Sequence, residues 1–241
     1  MKTLGIIPAR YNSTRFPGKP LANIGGKTML QRVYEQAQLA KLLDAVIIAT
    51  DDRRIFDHAV SLKANVIMTD PNHPSGTDRC AEVAKQIEGY DLIINIQGDE
   101  PFIEPASIDL VIELLQQEAL IATLAKQIEV LSELNDRNVV KVSIDENRKA
   151  LDFSRSPIPI IDAIPQNQWL QHGVFYKHIG LYGFRRDTLL EVTALPLGDR
   201  EQTDSLEQLR WLDAGYPIYV NFTQAKTVSI DTPEDLKKIG S

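Results

Sequence analysis

Residues 6–21 read Ile-Ile-Pro-Ala-Arg-Tyr-Asn-Ser-Thr-Arg-Phe-Pro-Gly-Lys-Pro-Leu, so that an apolar strand runs directly into a loop rich in cations, proline and glycine. The loop carries Arg10, Arg15 and Lys19. Guanidinium and ammonium groups concentrated at the end of a strand favour a preformed anion site, for which a polyphosphate is the natural ligand. A solvated basic loop is the alternative interpretation, but the position after the first strand favours a function.

Short apolar runs of strand length recur along the first half of the chain, separated by segments with helical periodicity. They cover residues 4–7, 45–49, 65–68 and 92–96. This alternation is typical of βαβ units, and it predicts an α/β fold with a mostly parallel sheet flanked by helices. After residue 120 the pattern loosens. Strands are predicted there at residues 139–144, 179–184 and 218–222, and the proline-rich residues 155–177 are predicted to leave the sheet.

Composition limits the classes of protein to consider. The 241 residues, of which 43% are hydrophobic and 24% charged, predict a single domain over residues 1–241. With 33 acidic residues against 26 basic ones, the net charge of −7 argues against a nucleic-acid partner. Cys80 is the only cysteine, which excludes an internal disulfide and is typical of a reducing compartment. No leader-like segment or apolar run of about 20 residues is present, so we expect a cytoplasmic protein without membrane insertion.

Polar clusters follow each of the first four predicted strands. They lie at residues 10–19, 50–52, 73–79 and 97–101. Ligands of open parallel sheets collect outside the carboxyl ends of the strands, so one crevice is expected to gather all four clusters.

Residues 73–79, His-Pro-Ser-Gly-Thr-Asp-Arg, open a predicted helix. Glycine beside small hydroxyl residues at a helix start exposes backbone groups that can read the edge of a base or bind an anion. A plain helix N-cap formed by Thr77 or Asp78 is the alternative, and for this segment taken alone it is the favoured one.

Residues 97–101, Gln-Gly-Asp-Glu-Pro, end a buried strand and supply Asp99. A carboxylate facing a phosphate site suits Mg²⁺, which takes one or two carboxylates together with substrate phosphates. Asp231 is a second candidate, although Asp-Thr-Pro-Glu-Asp also spells a helix start in which Asp231 could be the cap. Thr232 could take that capping role and leave Asp231 free. The sequence contains no zinc-ligand spacing and no Gly-x-Ser-x-Gly nucleophile motif.

Together these segments resemble the 3-deoxy-manno-octulosonate cytidylyltransferase (CMP-Kdo synthetase) family. The resemblance rests on ordered strings over essentially the whole chain: residues 8–10, 15–21, 49–51, 75–79, 95–101, 153–155 (Phe-Ser-Arg), 178–180, 206–210 (Leu-Glu-Gln-Leu-Arg) and 231–236 (Asp-Thr-Pro-Glu-Asp-Leu). Each string alone is weak to moderate, but their conjunction is specific.

The resemblance implies a Rossmann-like nucleotide-diphosphosugar transferase fold that converts CTP and Kdo into CMP-Kdo and pyrophosphate for bacterial lipopolysaccharide or capsule. It implies a homodimer, a CTP-binding half at residues 1–120 and a sugar-binding and dimerisation half at residues 121–241. The site residues implied are Arg10 and Lys19 with Arg15 for the triphosphate; Ser75, Gly76 and Arg79 around the cytosine; Asp99 and Asp231 for Mg²⁺; and Gln97, Arg155, His178, Tyr182, Glu207 and Gln208 around the sugar, with Arg155 suited to its carboxylate. Arg10, Lys19, Asp99 and Asp231 form the implied catalytic set.

Three hypotheses follow. The first is the Kdo enzyme, and the second is a cytidylyltransferase for 8-amino-Kdo or another acidic sugar such as a sialic acid. The strings at 153–155 and 206–210 favour Kdo over a sialic acid. The third is a nucleotide-binding regulatory protein with a decayed site, against which the joint presence of Arg10, Lys19, Asp99 and Asp231 argues.

Overall fold

The computed structural model describes residues 1–12, 16–225, 230 and 232–239, so the predictions for Arg15 and Asp231 lie outside the described residues. The strands, in chain order, are β1 (Thr3–Ala9), β2 (Asn23–Ile24), β3 (Lys27–Thr28), β4 (Ala45–Thr50), β5 (Asn65–Met68), β6 (Leu92–Asn95), β7 (Ile121–Gln127), β8 (Lys141–Ile144), β9 (Ala150–Ser154), β10 (Tyr176–Arg185) and β11 (Ile218–Phe222). The helices are α1 (Met29–Ala37), α2 (Arg53–Ser61), α3 (Gly76–Gln86), α4 (Pro105–Gln116), α5 (Leu131–Asn135), α6 (Trp169–His172), α7 (Arg186–Thr193), α8 (Asp199–Asp204), α9 (Gln208–Asp213) and α10 (Pro233–Ile239).

Within the described ranges, nine strands form one sheet in the order β11-β7-β10-β6-β1-β4-β5, with β8 joined to β10 and β9 joined to β8. β1 pairs in parallel with β4 and β6, β4 with β5, and β7 with β11. β10 runs antiparallel between β6 and β7, and β8 pairs antiparallel with both β10 and β9. The mostly parallel α/β fold expected from the sequence is therefore confirmed, and strands from both halves of the chain share one sheet.

The first four strand predictions are confirmed, as are those that became β8, β10 and β11. β7 and β9 were missed, as were the short strands β2 and β3, which pair outside the main sheet. The first five residues of β7 are buried, but the strand reads Ile-Ala-Thr-Leu-Ala-Lys-Gln. Alanine has a low strand propensity, so burial in the middle of the sheet decides this segment more than its local sequence does.

Side chains alternate between two hydrophobic layers on opposite faces of the sheet. In β1, Leu4 and Ile6 belong to one buried cluster and Ile7 to the other. Gly183 in β10 allows α4 to pack closely on the sheet, because a Cβ atom there would lie 2.5 Å from Val111 Cγ1 and 2.7 Å from Leu115 Cδ1. The packing fixes the strand ends that carry the polar clusters.

The excursion predicted at residues 155–177 is confirmed up to the start of β10. It packs under α5 in a small separate core, in which the rings of Trp169 and Phe175 stack with centroids 5.9 Å apart. Ile128, which follows β7, and Leu134 in α5 complete this core.

No helix among the described residues combines the length and the apolar character needed to cross a bilayer.

Candidate active site

A cavity of about 270 Å³ opens at the carboxyl ends of β1, β5 and β6, where the sequence predicted a crevice. Its walls are formed by Pro8, Ala9, Arg10, Lys19, Pro20, His73, Pro74, Ser75, Gly76, Arg79, Gln97, Gly98 and Asp99. Every described residue that the resemblance assigned to CTP lies on this wall, together with Gln97 and Asp99. The structure therefore brings together residues from three of the four polar clusters, whereas residues 50–52, contrary to the prediction, do not line the cavity.

Lys19 and Asp99 form an ion pair across the cavity mouth, with 2.8 Å between Lys19 Nζ and Asp99 Oδ2. The backbone N–H of Ile230 donates to the Asp99 carbonyl at 3.1 Å. The chain therefore returns to Asp99 one residue before Asp231. The helix cap of α10 is Thr232, which accepts from the Asp235 N–H, so the predicted capping role of Thr232 is confirmed.

Two close backbone approaches shape the cavity. A Cβ atom on Gly98 would lie 2.9 Å from the Pro8 carbonyl oxygen, and one on Gly76 would lie 3.1 Å from Pro8 Cγ. Glycine at these positions lets the turns after β5 and β6 approach the end of β1. A side chain at Gly98 would push the Asp99 segment away from the cation loop.

The loop that opens α3 is held by Ser75, whose hydroxyl oxygen accepts from the N–H groups of Thr77 and Asp78, each at 3.1 Å. The expectation that Thr77 or Asp78 caps this helix is wrong, because the helix begins earlier and Ser75 is the N-cap. The side chain of Thr77 is thereby left for other contacts.

Arg79 is almost completely buried, although it forms part of the cavity wall. Its guanidinium lies 3.5 Å from Asp51 Oδ1 and donates to Thr69 Oγ1. Asp51 and Thr69 follow β4 and β5, so Arg79 ties the ends of these strands to α3.

The residues assigned to the sugar, Gln97 apart, do not line the cavity, and Glu207 is the one that contacts its wall, through Ser75. Glu207 connects the residues assigned to the sugar with the loop that opens α3. Its carboxylate accepts from Thr77 Oγ1 at 2.7 Å and lies 2.8 Å from Ser75 Oγ. Burial raises the pKa of Glu207, an effect that these hydroxyl donors oppose. Gln208 is buried directly after it, at the start of α9.

Tyr182 and His178 form the next part of this group, with ring centroids 5.1 Å apart. The Tyr182 hydroxyl is buried and has no hydrogen-bond partner among the described residues, and burial with the Glu207 charge raises its pKa. Burial lowers the pKa of His178 to about 3, so the imidazole is neutral at neutral pH.

The tautomer of His178 follows from its neighbour. His178 Nε2 lies 2.9 Å from Thr123 Oγ1, which is also 2.8 Å from the Leu181 carbonyl. Because the single Thr123 hydroxyl proton is donated to a carbonyl, the hydroxyl oxygen accepts from His178 Nε2–H. The Nδ1 atom is then the proton acceptor that the imidazole offers.

Arg155 braces the loop that precedes Glu207. Its guanidinium donates to the carbonyls of Asp204 at 2.7 Å, Arg137 at 3.2 Å and Ser205 at 3.4 Å. Ser205 is in the left-handed region with a φ of 53°, so the brace holds an unfavourable backbone conformation. Its role toward a sugar carboxylate stays a prediction.

Glu100 has an unusual protonation behaviour, because it is only 8% exposed and follows Asp99. Burial and the Asp99 charge raise its pKa to about 7 from 4.5. The folded protein then holds this proton more tightly than the unfolded chain, so the stabilisation is present below pH 4.5 and is lost as the pH rises through 7.

In metal-free wild-type protein, we expect Glu100 to lower the free energy of unfolding by about 3 kcal/mol as the pH rises from 5 to 8. The variant Glu100→Gln should lack this decrease. Urea unfolding at both pH values, compared with wild type, measures this difference. Glu113→Gln, on the exposed face of α4, is the control and should keep the wild-type pH dependence. An unchanged pH dependence in Glu100→Gln would show that Glu100 is ionised in the fold.

Within the described part of the chain, no group of three or more His, Cys, Asp or Glu side chains could hold a metal ion. The Asp99 carboxylate, which shares the cavity wall with Lys19 and Arg10, would suit a Mg²⁺ ion whose remaining ligands would come from substrate phosphates. The chemistry of the donor set is thus compatible with magnesium.

Sequence reasoning missed Thr77 and Asn95 as site residues. Asn95 Nδ2 donates to Thr77 Oγ1 at 3.2 Å, and Thr77 in turn contacts Glu207. A polar side chain at the end of the apolar strand Leu-Ile-Ile-Asn was the available signal for Asn95. For Thr77, the hydroxyl was assigned to helix capping.

A cation-lined cavity at the carboxyl ends of a mostly parallel sheet, with a carboxylate at its mouth, is the arrangement of a nucleotidyltransferase. The cytidylyltransferase family model matches residues 4–237, and the chain belongs to this family. Among curated relatives, the 3-deoxy-manno-octulosonate cytidylyltransferase of Parabacteroides distasonis is 50% identical over 99% of this chain and 96% of its own. That of Bacteroides thetaiotaomicron is 49% identical over 98% and 96%.

Solved structures give the same result. A CMP:2-keto-3-deoxy-manno-octonic acid synthetase in complex with CTP superposes with a TM-score of 0.92 and is 40% identical, over 100% of this chain and 97% of that one. The 4-diphosphocytidyl-2C-methyl-D-erythritol synthase of Anaerococcus prevotii shares the fold, with a TM-score of 0.62 at 16% identity over 99% and 97%.

Proposed function

We propose that this protein transfers CMP from CTP to Kdo, giving CMP-Kdo and pyrophosphate. The observation that carries the proposal is the cavity in which Arg10, Lys19 and Asp99 meet the Ser75–Gly76 loop. It is supported by the 40% identical synthetase, whose structure contains CTP.

The triphosphate binds between the cations of the loop after β1 and the Asp99 segment. Arg10 and Lys19, with Arg15, neutralise phosphate charge, while Ser75, Gly76 and Arg79 form the side of the cavity assigned to cytosine. Asp99 and Asp231 would hold Mg²⁺, which supplies charge neutralisation and orientation at the phosphates. The hydrogen bond from Ile230 to Asp99 supports the convergence of these two acids.

The sugar acid binds next to this cavity, toward Gln97, Arg155, His178, Tyr182, Glu207 and Gln208. Two side chains in this group can form hydrogen bonds with a polyhydroxylated ligand. The Tyr182 hydroxyl is buried without a partner among the described residues, and His178 presents a neutral imidazole. Leaving such a hydroxyl unpaired is costly, and a sugar hydroxyl would remove that cost.

In the reaction, the anomeric hydroxyl of Kdo gives up its proton to solvent, its oxygen forms a bond to the α-phosphorus, and the bond from that phosphorus to pyrophosphate breaks. Such a transfer requires alignment and charge neutralisation more than covalent help. In this proposal, Arg10 and Lys19 stabilise the departing pyrophosphate, and the ion pair of Lys19 with Asp99 supports the role of Lys19.

The assignment of residues 1–120 to CTP and of residues 121–241 to sugar binding and dimerisation belongs to the same proposal. A homodimer in the cytoplasm and a role in lipopolysaccharide or capsule synthesis are also part of this proposal. Light scattering coupled to size exclusion tests the dimer.

A pyrophosphate-release assay tests the function. It crosses CTP, ATP, GTP and UTP with Kdo, 8-amino-Kdo and a sialic acid in the presence of Mg²⁺. We expect release with CTP and Kdo. Release only with another sugar acid would replace the proposed substrate, and release with none would favour a binding protein.

A further inference from the structure

Thr77 occupies an unusual position between the cavity and the residues assigned to the sugar. It lies in the first turn of α3 and is only 2% exposed, although its hydroxyl does not cap the helix. That hydroxyl donates to Glu207 Oε2 at 2.7 Å, across 130 residues of sequence.

The direction of the hydrogen bonds around Thr77 is fixed by its single proton. Because this proton is donated to the Glu207 carboxylate, the lone pairs of Thr77 Oγ1 are available to Asn95 Nδ2 at 3.2 Å. Asn95 is itself buried at the end of β6. A directed chain thus runs from the sheet through Thr77 to Glu207.

Glu207 receives support from two further side chains. Ser75 Oγ lies 2.8 Å from Glu207 Oε1, and Arg210 Nη2 donates to the same oxygen at 3.2 Å. Arg210 is shared with Glu201 at 3.2 Å, and the single Ser75 proton is shared with Asp78 Oδ2 at 2.6 Å. Thr77 is therefore the one hydroxyl among these partners whose proton has no competing carboxylate.

We propose that Thr77 is a positioning residue for the transfer reaction. It fixes the Glu207 carboxylate against the Ser75–Gly76 loop, so that the sugar site is aligned with the nucleotide cavity. The inference rests on the proposed function, in which Glu207 binds the sugar and the loop binds CTP.

The alternative is that Thr77 only satisfies a buried polar group. A structural role of that kind lowers stability but does not separate the two substrates. A positioning role raises the KM for Kdo while the KM for CTP stays nearly constant, because the Ser75 and Gly76 backbone is retained. The KM values for the two substrates therefore distinguish the two roles.

The test compares Thr77→Val with Thr77→Ser by steady-state pyrophosphate release. Thr77→Val keeps the shape and removes the hydroxyl, and we expect about a tenfold rise in the KM for Kdo, the size of a lost hydrogen bond to a charged group. The KM for CTP should change less than about threefold. Thr77→Ser retains the donor and should restore the KM for Kdo to within about threefold of wild type.

Thr193→Val is the matched control, because the Thr193 hydroxyl donates only to helix carbonyls in α7 and lies outside the site. Both KM values should match wild type in this variant. An unchanged KM for Kdo in Thr77→Val, or equal rises for both substrates, would overturn the proposal.

Failure of the proposed function is seen separately, as absence of turnover of CTP and Kdo by the wild-type protein. In that case a double-mutant cycle of Thr77→Val and Glu207→Gln in urea unfolding tests only the Thr77–Glu207 contact on which the positioning role rests. A coupling of about fivefold or more in the unfolding constant supports the Thr77–Glu207 restraint, and additive effects overturn it.

Discussion

Asp99→Asn is expected to lower kcat for pyrophosphate release by about 100- to 1,000-fold, with the fold intact. The substitution keeps the size of the side chain but removes the charge that pairs with Lys19 at 2.8 Å. Because the Asp99 carboxylate pairs with Lys19 on the cavity wall, and the Asp99 backbone accepts from Ile230 next to Asp231, we expect its charge to hold Mg²⁺ and to orient Lys19. Initial rates at saturating CTP, Kdo and Mg²⁺ measure the loss.

The control for this prediction is Asp187→Asn, an exposed acid in the first turn of α7. α7 follows β10, and its first residue donates a backbone hydrogen bond to Asp91 at the amino end of β6, the edge of the sheet opposite the cavity. This variant should retain wild-type kcat. Urea unfolding of Asp99→Asn should show a midpoint close to wild type, which separates a chemical loss from a folding defect. Wild-type turnover by Asp99→Asn would contradict the metal role.

The nucleotide cavity could be predicted from sequence because its residues come in short strings at strand ends. Lys19, Ser75 and Asp99 each follow an apolar run, and parallel pairing brings the ends of those runs to one edge. The geometry of the sheet therefore brings these three residues together. To predict that these residues meet, only the identity and the order of the strands were needed.

The sugar side required tertiary contacts that no local pattern carries. Glu207 meets Ser75 across 132 residues, and the role of Thr77 depends on which residue begins α3. Serine and threonine both cap helices, so the sequence alone could not decide between Ser75 and Thr77. The structure decides it, because the helix starts at Gly76 and leaves the Thr77 hydroxyl for Glu207.

The buried lysine of β8 was also invisible in the sequence, because an isolated lysine in a strand is usually read as solvent-exposed. Lys141 is fully buried, and its Nζ donates to the carbonyls of Asp136 at 2.8 Å, Val139 at 2.7 Å and Arg155 at 2.7 Å. It thereby joins the loop before β8 to the end of β9. Through Arg155, this junction reaches the brace at Ser205 and the segment that carries Glu207.

Lys141→Met is accordingly expected to lower the free energy of unfolding by about 3–5 kcal/mol. Methionine fills a similar volume but donates no hydrogen bonds, so three carbonyls lose a charged donor in the protein interior. The measurement is the urea midpoint followed by circular dichroism, with the m-value unchanged if unfolding stays two-state.

Lys85→Met, at an exposed position in the last turn of α3, is the matched control and should change stability by less than about 0.5 kcal/mol. Equal midpoints for Lys141→Met and wild type would show that the ammonium group is dispensable, and that packing alone joins β8 and β9. Lys85 differs from Lys141 in burial and in its contacts but not in chemistry. A loss of stability in Lys141→Met alone would therefore show that the hydrogen bonds from Lys141 to the three carbonyls support the loop that Arg155 braces.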